Sequence, residues 1–120
     1  MIKINETNIT IMVKDFDASI RFYESIGFTL KKRWENFYAM VTAPGLTIGI
    51  HPTEPGQEFN AGDSISVGLM IDNADEARAL LNRNGISFMD QDGDSGLYLH
   101  FKDPDGVTIY FTVPKWSYAD

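Results

Sequence analysis

The sequence predicts an α+β fold built from two βαβββ modules, and three observations predict it. The runs ITIMVKD (Ile9 to Asp15) and SVGLMID (Ser66 to Asp72) are both strand-like and both end in aspartate. Each is followed by a segment with apolar residues at helical spacing that stops at a glycine. GLTIGI (Gly45 to Ile50) and GVTIYF (Gly106 to Phe111) then close the two halves with closely matching residues, the mark of an internal repeat.

The elements follow in order. In the first helix Phe16, Ile20 and Tyr23 share a face, Asp15 or Asp17 caps the start, and Gly27 marks the stop. Three strands follow in FTLKKRW, FYAMV and LTIGI. In the second helix Ala74, Ala77, Leu80 and Leu81 share a face, Asn73 and Glu76 have capping-box spacing, and Gly85 is the stop. ISFM, LYLHF and VTIYF are its three strands. Module 1 spans about residues 6–52 and module 2 about 64–113, with a polar Pro/Gly-rich linker at about 53–63 and a tail at 114–120. The whole is read as a single domain over 1–120: neither half can bury its sheet alone, so the halves pack together or with another chain.

Composition removes several classes of function. With no cysteine, disulfides, thiolate catalysis and cysteine-based metal sites are excluded. A net charge of −7 argues against nucleic acid, whose phosphates need basic patches. The same charge serves solubility or draws cationic ligands. No apolar run approaches a membrane span, and MIKINETNITIMV lacks a basic segment followed by an apolar core. No membrane association is expected, and a cytoplasmic location is.

Two acidic loops read as structural. DQDGDSG (Asp90 to Gly96) begins like a calcium loop, but Ser95 stands where that loop needs glycine and Phe101 where it needs glutamate. It reads instead as a hairpin turn with three solvated carboxylates. In DPDG (Asp103 to Gly106), Pro104 presets its backbone angle, the aspartates bond nearby N–H groups and Gly106 permits a positive φ.

VKDFDASIRFYESIGF in the first half and FKDPDGVTIYF in the second resemble the vicinal oxygen chelate superfamily, which includes glyoxalase I, bleomycin-resistance proteins, fosfomycin-resistance enzymes and extradiol dioxygenases. The resemblance covers nearly the whole chain. It implies that the two modules form a curved mixed eight-stranded sheet around a cavity with helices outside, and that the protein is a homodimer. It also implies metal ligands on the cavity face of the first and last strand of each module. Those positions carry Asn8, Gly49, Ser66 and Tyr110 here, whereas the family uses His, Glu or Gln. The donor chemistry is therefore wrong for the family's metal, and no metal or cofactor is expected.

Alternation supports this register independently. Ile9, Ile11 and Val13 oppose Asn8, Thr10 and Met12; Val67, Leu69 and Ile71 oppose Ser66, Gly68 and Met70; Val107, Ile109 and Phe111 oppose Thr108, Tyr110 and Thr112. One face of each strand is apolar and suits the helices. The other mixes small, polar, Met and Tyr residues and suits a ligand. A slip of one residue would reverse every assignment.

Four aromatic or imidazole side chains join this face. His51 shares parity with Gly49, and reads either as a proton carrier near neutral pH or as an exposed strand end beside Pro52. His100, alternating with Tyr98, either lines the cavity or is a half-buried strand residue with a backbone partner. Trp34 and Tyr38, on adjacent strands, either stack on a planar ligand or pack in the sheet or a dimer interface. Trp116, in the tail, is suited to docking on a partner subunit.

Three functions follow. The first is a metal-independent binding protein holding a small planar or aromatic organic molecule through Asn8, Thr10, Met12, Trp34, Tyr38, Gly49, His51, Ser66, Gly68, Met70, His100 and Tyr110. No position among these is acidic, which counts against a cationic drug, with Glu35 beside Trp34 the exception. The second is a lyase or isomerase, in which His51, His100 and Tyr110 supply acid–base chemistry if no metal does. The third is a non-catalytic module whose cavity Met12, Met70 and Tyr110 fill.

Overall fold

A computed structural model of the chain describes residues 3, 5, 6, 8–56, 65–94 and 96–115. Most of the expected linker, Ser95 and the tail with Trp116 lie outside the described residues. The chain divides into two compact units, Met1–Phe59 and Asn60–Asp120. The first carries β1 (Ile9–Val13), α1 (Phe16–Ser25), β2 (Thr29–Trp34), β3 (Tyr38–Ala43) and β4 (Leu46–Pro52). The second carries β5 (Ser66–Met70), α2 (Ala74–Arg83), β6 (Phe88–Gly93), β7 (Gly96–Lys102) and β8 (Thr108–Pro114). Both modules are thus βαβββ, giving eight strands in two mixed sheets.

The sheet orders are β1-β4-β3-β2 and β5-β8-β7-β6. In each, the first strand runs parallel to the last and the other pairs are antiparallel. A parallel pair needs a long crossover, and the helix with its following hairpin supplies it. The helix then covers one face of its sheet. In the first unit Ile11, Val13, Val41, Ile48 and Ile50 are buried with Phe16, Ile20 and Tyr23. In the second, Val67, Leu99, Phe101, Ile109 and Phe111 are buried with Ala77 and Leu81. These are the apolar faces that the alternation assigns, except that Ile9 at the start of β1 is exposed.

Both helices begin and end by one design. The Asp15 side chain accepts from the Ala18 N–H at 3.0 Å, and the Asn73 side chain from the Glu76 N–H at 3.0 Å. Each of these satisfies an N–H that has no carbonyl partner within the helix. At the other end the Phe28 N–H reaches the Tyr23 carbonyl and the Gly27 N–H the Glu24 carbonyl, while the Ile86 and Gly85 N–H groups reach Leu81 and Asn82 in the same way. This is the Schellman pattern, with Gly27 at φ +115° and Gly85 at φ +67°. The Phe28 and Tyr23 rings meet edge-on at 5.4 Å, the hydrophobic contact that accompanies the motif.

Backbone bonds of this kind correct four strand boundaries. Phe28 and Ile86 lie outside β2 and β6, because their N–H groups are spent on the helix ends. Phe37 lies outside β3, because its N–H turns back to the Trp34 carbonyl at 2.9 Å. Val107 precedes β8 because its N–H bonds the Asp103 carboxylate at 2.8 Å. That carboxylate also accepts from the Asp105 N–H, and Gly106 has φ +88°, so DPDG is the structural turn the sequence describes.

DQDGDSG belongs to the β6–β7 hairpin and its three carboxylates are exposed, but more of it is strand than its reading as a turn expects. Asp90 and Asp92 are strand residues, opposite Leu99 and Leu97. The Asp90 carboxylate holds Arg78 of α2 at 2.6 Å and so fastens the helix to the sheet edge. The Arg78 bond draws the Asp90 carboxyl below its ordinary range, and Arg78 is raised correspondingly. The first unit makes the corresponding tie with opposite polarity, from Asp17 of α1 to Arg33 of β2 at 2.8 Å. No helix among the described residues is long and apolar enough to cross a membrane.

Candidate functional site

The sheet faces turned away from the helices carry the predicted site residues. In the first unit, Thr10 lies opposite Gly49 and Met12 opposite His51 across the parallel pair. Met40 flanks Gly49 on the other side, and Trp34 pairs with Tyr38. Asn8 precedes β1 on the same side as Thr10.

Gly49 determines how this face is built. An alanine Cβ there would lie 2.6 Å from Tyr38 Cζ and 2.7 Å from Thr10 Oγ1. The phenol of Tyr38 therefore crosses β4 through the space that a side chain at 49 would fill. Its hydroxyl meets Thr10 Oγ1 at 3.0 Å, and Asn8 Nδ2 donates to both oxygens, at 3.0 Å to Thr10 and 3.1 Å to Tyr38. Trp34 stands beside the Tyr38 ring at 5.5 Å, with Lys32 Nζ 4.8 Å from the indole centre. His51 flanks the other edge at 6.4 Å. It is exposed, and its Nδ1 donates to the Pro52 carbonyl at 2.8 Å.

Beside this triad runs a groove of about 430 Å³ lined by Asn8, Lys31, Met40, Thr42, Thr47, Glu6 and the β3–β4 turn. Only Asn8 of these was among the predicted positions. Met40 and Thr42 share parity with Tyr38, and Thr47 with Gly49, so alternation extended to β3 and β4 would have found them. Lys31 was not accessible that way, because it is the extra residue where the β2–β3 register shifts between Leu30 and Lys32.

In the second unit Ser66, Gly68 and Met70 oppose Thr108, Tyr110 and Thr112, and His100 flanks Tyr110. The Tyr110 ring leans over Gly68, where an alanine Cβ would lie 2.6 Å from Tyr110 Cζ. Tyr98, His100 and Tyr110 form a triangle with ring centres 5.6–5.9 Å apart, the Tyr98 and His100 rings stacked at 15°. Tyr98 is thus a third ring of the cluster, and its sequence signal was its alternation with His100. Ser66 and Met70 are exposed at the sheet edge, apart from these rings. Thr112 is buried, and its Oγ1 has no hydrogen-bond partner among the described residues. The predicted positions therefore form two groups, one on each unit's open face.

A metal of the kind the fold brings does not suit these side chains. No group of three or more His, Asp or Glu side chains converges among the described residues. At the four family positions, Gly49 offers no donor and its space holds the Tyr38 phenol. Tyr110 turns its hydroxyl over Gly68. Asn8 and Ser66 are neutral oxygen ligands, weak ones for a divalent ion.

The chain belongs to the glyoxalase/bleomycin resistance protein/dioxygenase superfamily, whose family model matches residues 3–111. Its fold is that of several solved structures. One is the genomically encoded fosfomycin resistance protein FosX from Listeria monocytogenes, at TM-score 0.75 and 20% identity over 96% of both chains. Another is the bleomycin resistance determinant encoded on the transposon Tn5, at TM-score 0.70 and 20% identity over 94% of this chain and 100% of that one. A third is a glyoxylase/bleomycin resistance protein/dioxygenase domain from Frankia sp. EAN1pec, at TM-score 0.73 and 18% identity over 94% and 99%. A FosX variant is known in complex with manganese(II) and 1S,2S-dihydroxypropylphosphonic acid. No curated protein matches the chain significantly.

Proposed function

We propose that this chain is a metal-independent small-molecule binding protein of the glyoxalase/bleomycin-resistance type, which holds a small planar or aromatic ligand on its open sheet faces. The observation that carries the reading is the phenol of Tyr38 lying across Gly49. It puts an aromatic ring and a hydroxyl where the superfamily projects a metal ligand. The Tyr98–His100–Tyr110 cluster supplies a second aromatic surface. The groove that Asn8 lines has a volume within the usual range for small-molecule sites. Two proteins of the same fold are a bleomycin resistance determinant and a fosfomycin resistance protein, a variant of the latter in complex with manganese(II) and 1S,2S-dihydroxypropylphosphonic acid, so the donor positions are the difference to test.

The test combines elemental analysis of the purified protein with calorimetric titration of planar aromatic compounds. We expect substoichiometric divalent metal and saturable heat from at least one compound class. A stoichiometric bound metal would overturn the metal-independent reading, and absence of heat with every class the binding reading. Association as a homodimer belongs to the same proposal, and light scattering would give a mass near twice the 13.5 kDa chain.

A further inference from the structure

The geometry points to a single-donor site for a ligand oxygen at Asn8, Thr10 and Tyr38, so that the favoured ligand is an aromatic compound carrying a carbonyl or carboxylate. This rests on the binding reading above and specifies its chemistry.

The inference comes from counting protons. Asn8 Nδ2 has two, and they go to Thr10 Oγ1 and the Tyr38 hydroxyl at 3.0 and 3.1 Å. The two hydroxyls bring one proton each, and the 3.0 Å bond between them uses one. One hydroxyl proton is therefore left, whichever oxygen donates to the other. The oxygen that keeps it accepts two hydrogen bonds, from the amide and from the other hydroxyl, and these polarise its O–H. The cluster is thus an outward-facing donor with no outward N–H beside it. It needs an acceptor, and a ligand hydroxyl offers only a weaker one than a carbonyl or carboxylate oxygen.

Its surroundings say what the acceptor is attached to. The donor sits at the edge of the Tyr38 ring, with the Trp34 indole beside that ring at 5.5 Å. The groove opens from Asn8 past Met40, and Lys31 in its wall is compatible with a carboxylate. Gly49 is the enabling residue, because any Cβ there would displace the phenol and break the count.

The test titrates the ¹⁵N-labelled full chain with acetophenone and with ethylbenzene, which differ in the carbonyl oxygen. Amide shifts at Thr10, Met40 and Gly49 report binding at the triad. We expect both probes to shift them and acetophenone to bind about fivefold tighter, the worth of one net hydrogen bond. Asn8→Asp replaces the amide by a carboxylate that accepts both hydroxyl protons, so no donor faces outward. The preference for acetophenone, read as the ratio of the two affinities within the variant, should then vanish. Tyr38→Phe leaves the Thr10 proton and frees the Asn8 N–H that the phenol accepted, so the preference should survive it. Unchanged amide spectra away from β1, β3 and β4 establish that the variants fold. Equal affinity of the native chain for the two probes, or a preference that survives Asn8→Asp, overturns the donor site and leaves the binding reading standing. No binding of either probe overturns the donor site, and the binding reading falls as well when the calorimetric titrations show no heat with any class.

Discussion

An alanine at position 49 would run into the Tyr38 hydroxyl and Cζ and into Thr10 Oγ1, so this glycine is required by neighbouring side chains and not by its backbone angle. Gly49→Ala should push the phenol off β4 and cost about 1–3 kcal/mol, the range for overpacking a fitted site. Because the nearest obstacle is the Tyr38 side chain, Tyr38→Ala should remove most of that cost. A double-mutant cycle read by urea unfolding should show a coupling of about 1–2 kcal/mol. Additive effects would mean that the phenol does not occupy this space. Thr112 offers the opposite case. Its buried hydroxyl has no partner among the described residues, and burial without a partner costs stability. Thr112→Val keeps the shape and should stabilise the protein by about 0.5–1 kcal/mol, seen as a higher urea midpoint at unchanged slope.

The elements show which sequence signals are physical and which mislead. Gly85 has φ +67° and open space around its missing Cβ, so Gly85→Ala should cost only backbone strain, about 1 kcal/mol, in contrast to Gly49→Ala. A loss of more than 2 kcal/mol in thermal unfolding would contradict a purely conformational role. These caps were legible because each is local, spelled by a polar residue before the helix and a glycine after it. The strand starts were not. Phe28, Phe37 and Ile86 have strand-like side chains, but their N–H groups are already taken by helix ends or a turn. Asp90 was misread for the complementary reason: its side chain suggests a turn, and pairing with β7 together with Arg78 makes it a strand residue. That ion pair also gives a pH signature. A carboxyl held below its ordinary value contributes stability above the unfolded pKa of ~3.9 and loses it as pH falls through the lowered folded value. Asp90→Asn should therefore narrow the difference in urea midpoint between pH 7 and pH 3. An unchanged difference would show that the pair, which is exposed to solvent, adds nothing.

At the scale of the molecule, the repeat fixed what could be read. Strand period two assigns faces without knowledge of the partners, so Asn8, Thr10, Gly49, Gly68, His100 and Tyr110 could be placed on open faces from their order alone. What one strand's phenol does above another strand's glycine depends on register and side-chain reach, and the groove depends on a bulge at Lys31. Neither has a local signal. The consequence for the whole protein is its response to metals, the property in which it should depart from relatives such as FosX. Binding to the native state alone stabilises by RT ln(1 + [L]/Kd), so a micromolar site at millimolar metal would add ~4 kcal/mol. For a chain of 120 residues that is a rise in Tm on the order of 10–20 °C. The donor set here, a glycine, a tyrosine turned aside and two neutral oxygens, supports no such site. Thermal unfolding in 1 mM Mn²⁺, Zn²⁺ or Ni²⁺ should agree with that in EDTA to within about 2 °C, since weak binding to surface carboxylates adds only tenths of a kcal/mol. A rise of 10 °C with one metal and not the others would identify a selective site. Elemental analysis and loss of that rise in Asn8→Ala would then locate it, and Tyr38 would have to leave the space over Gly49 for the metal to enter.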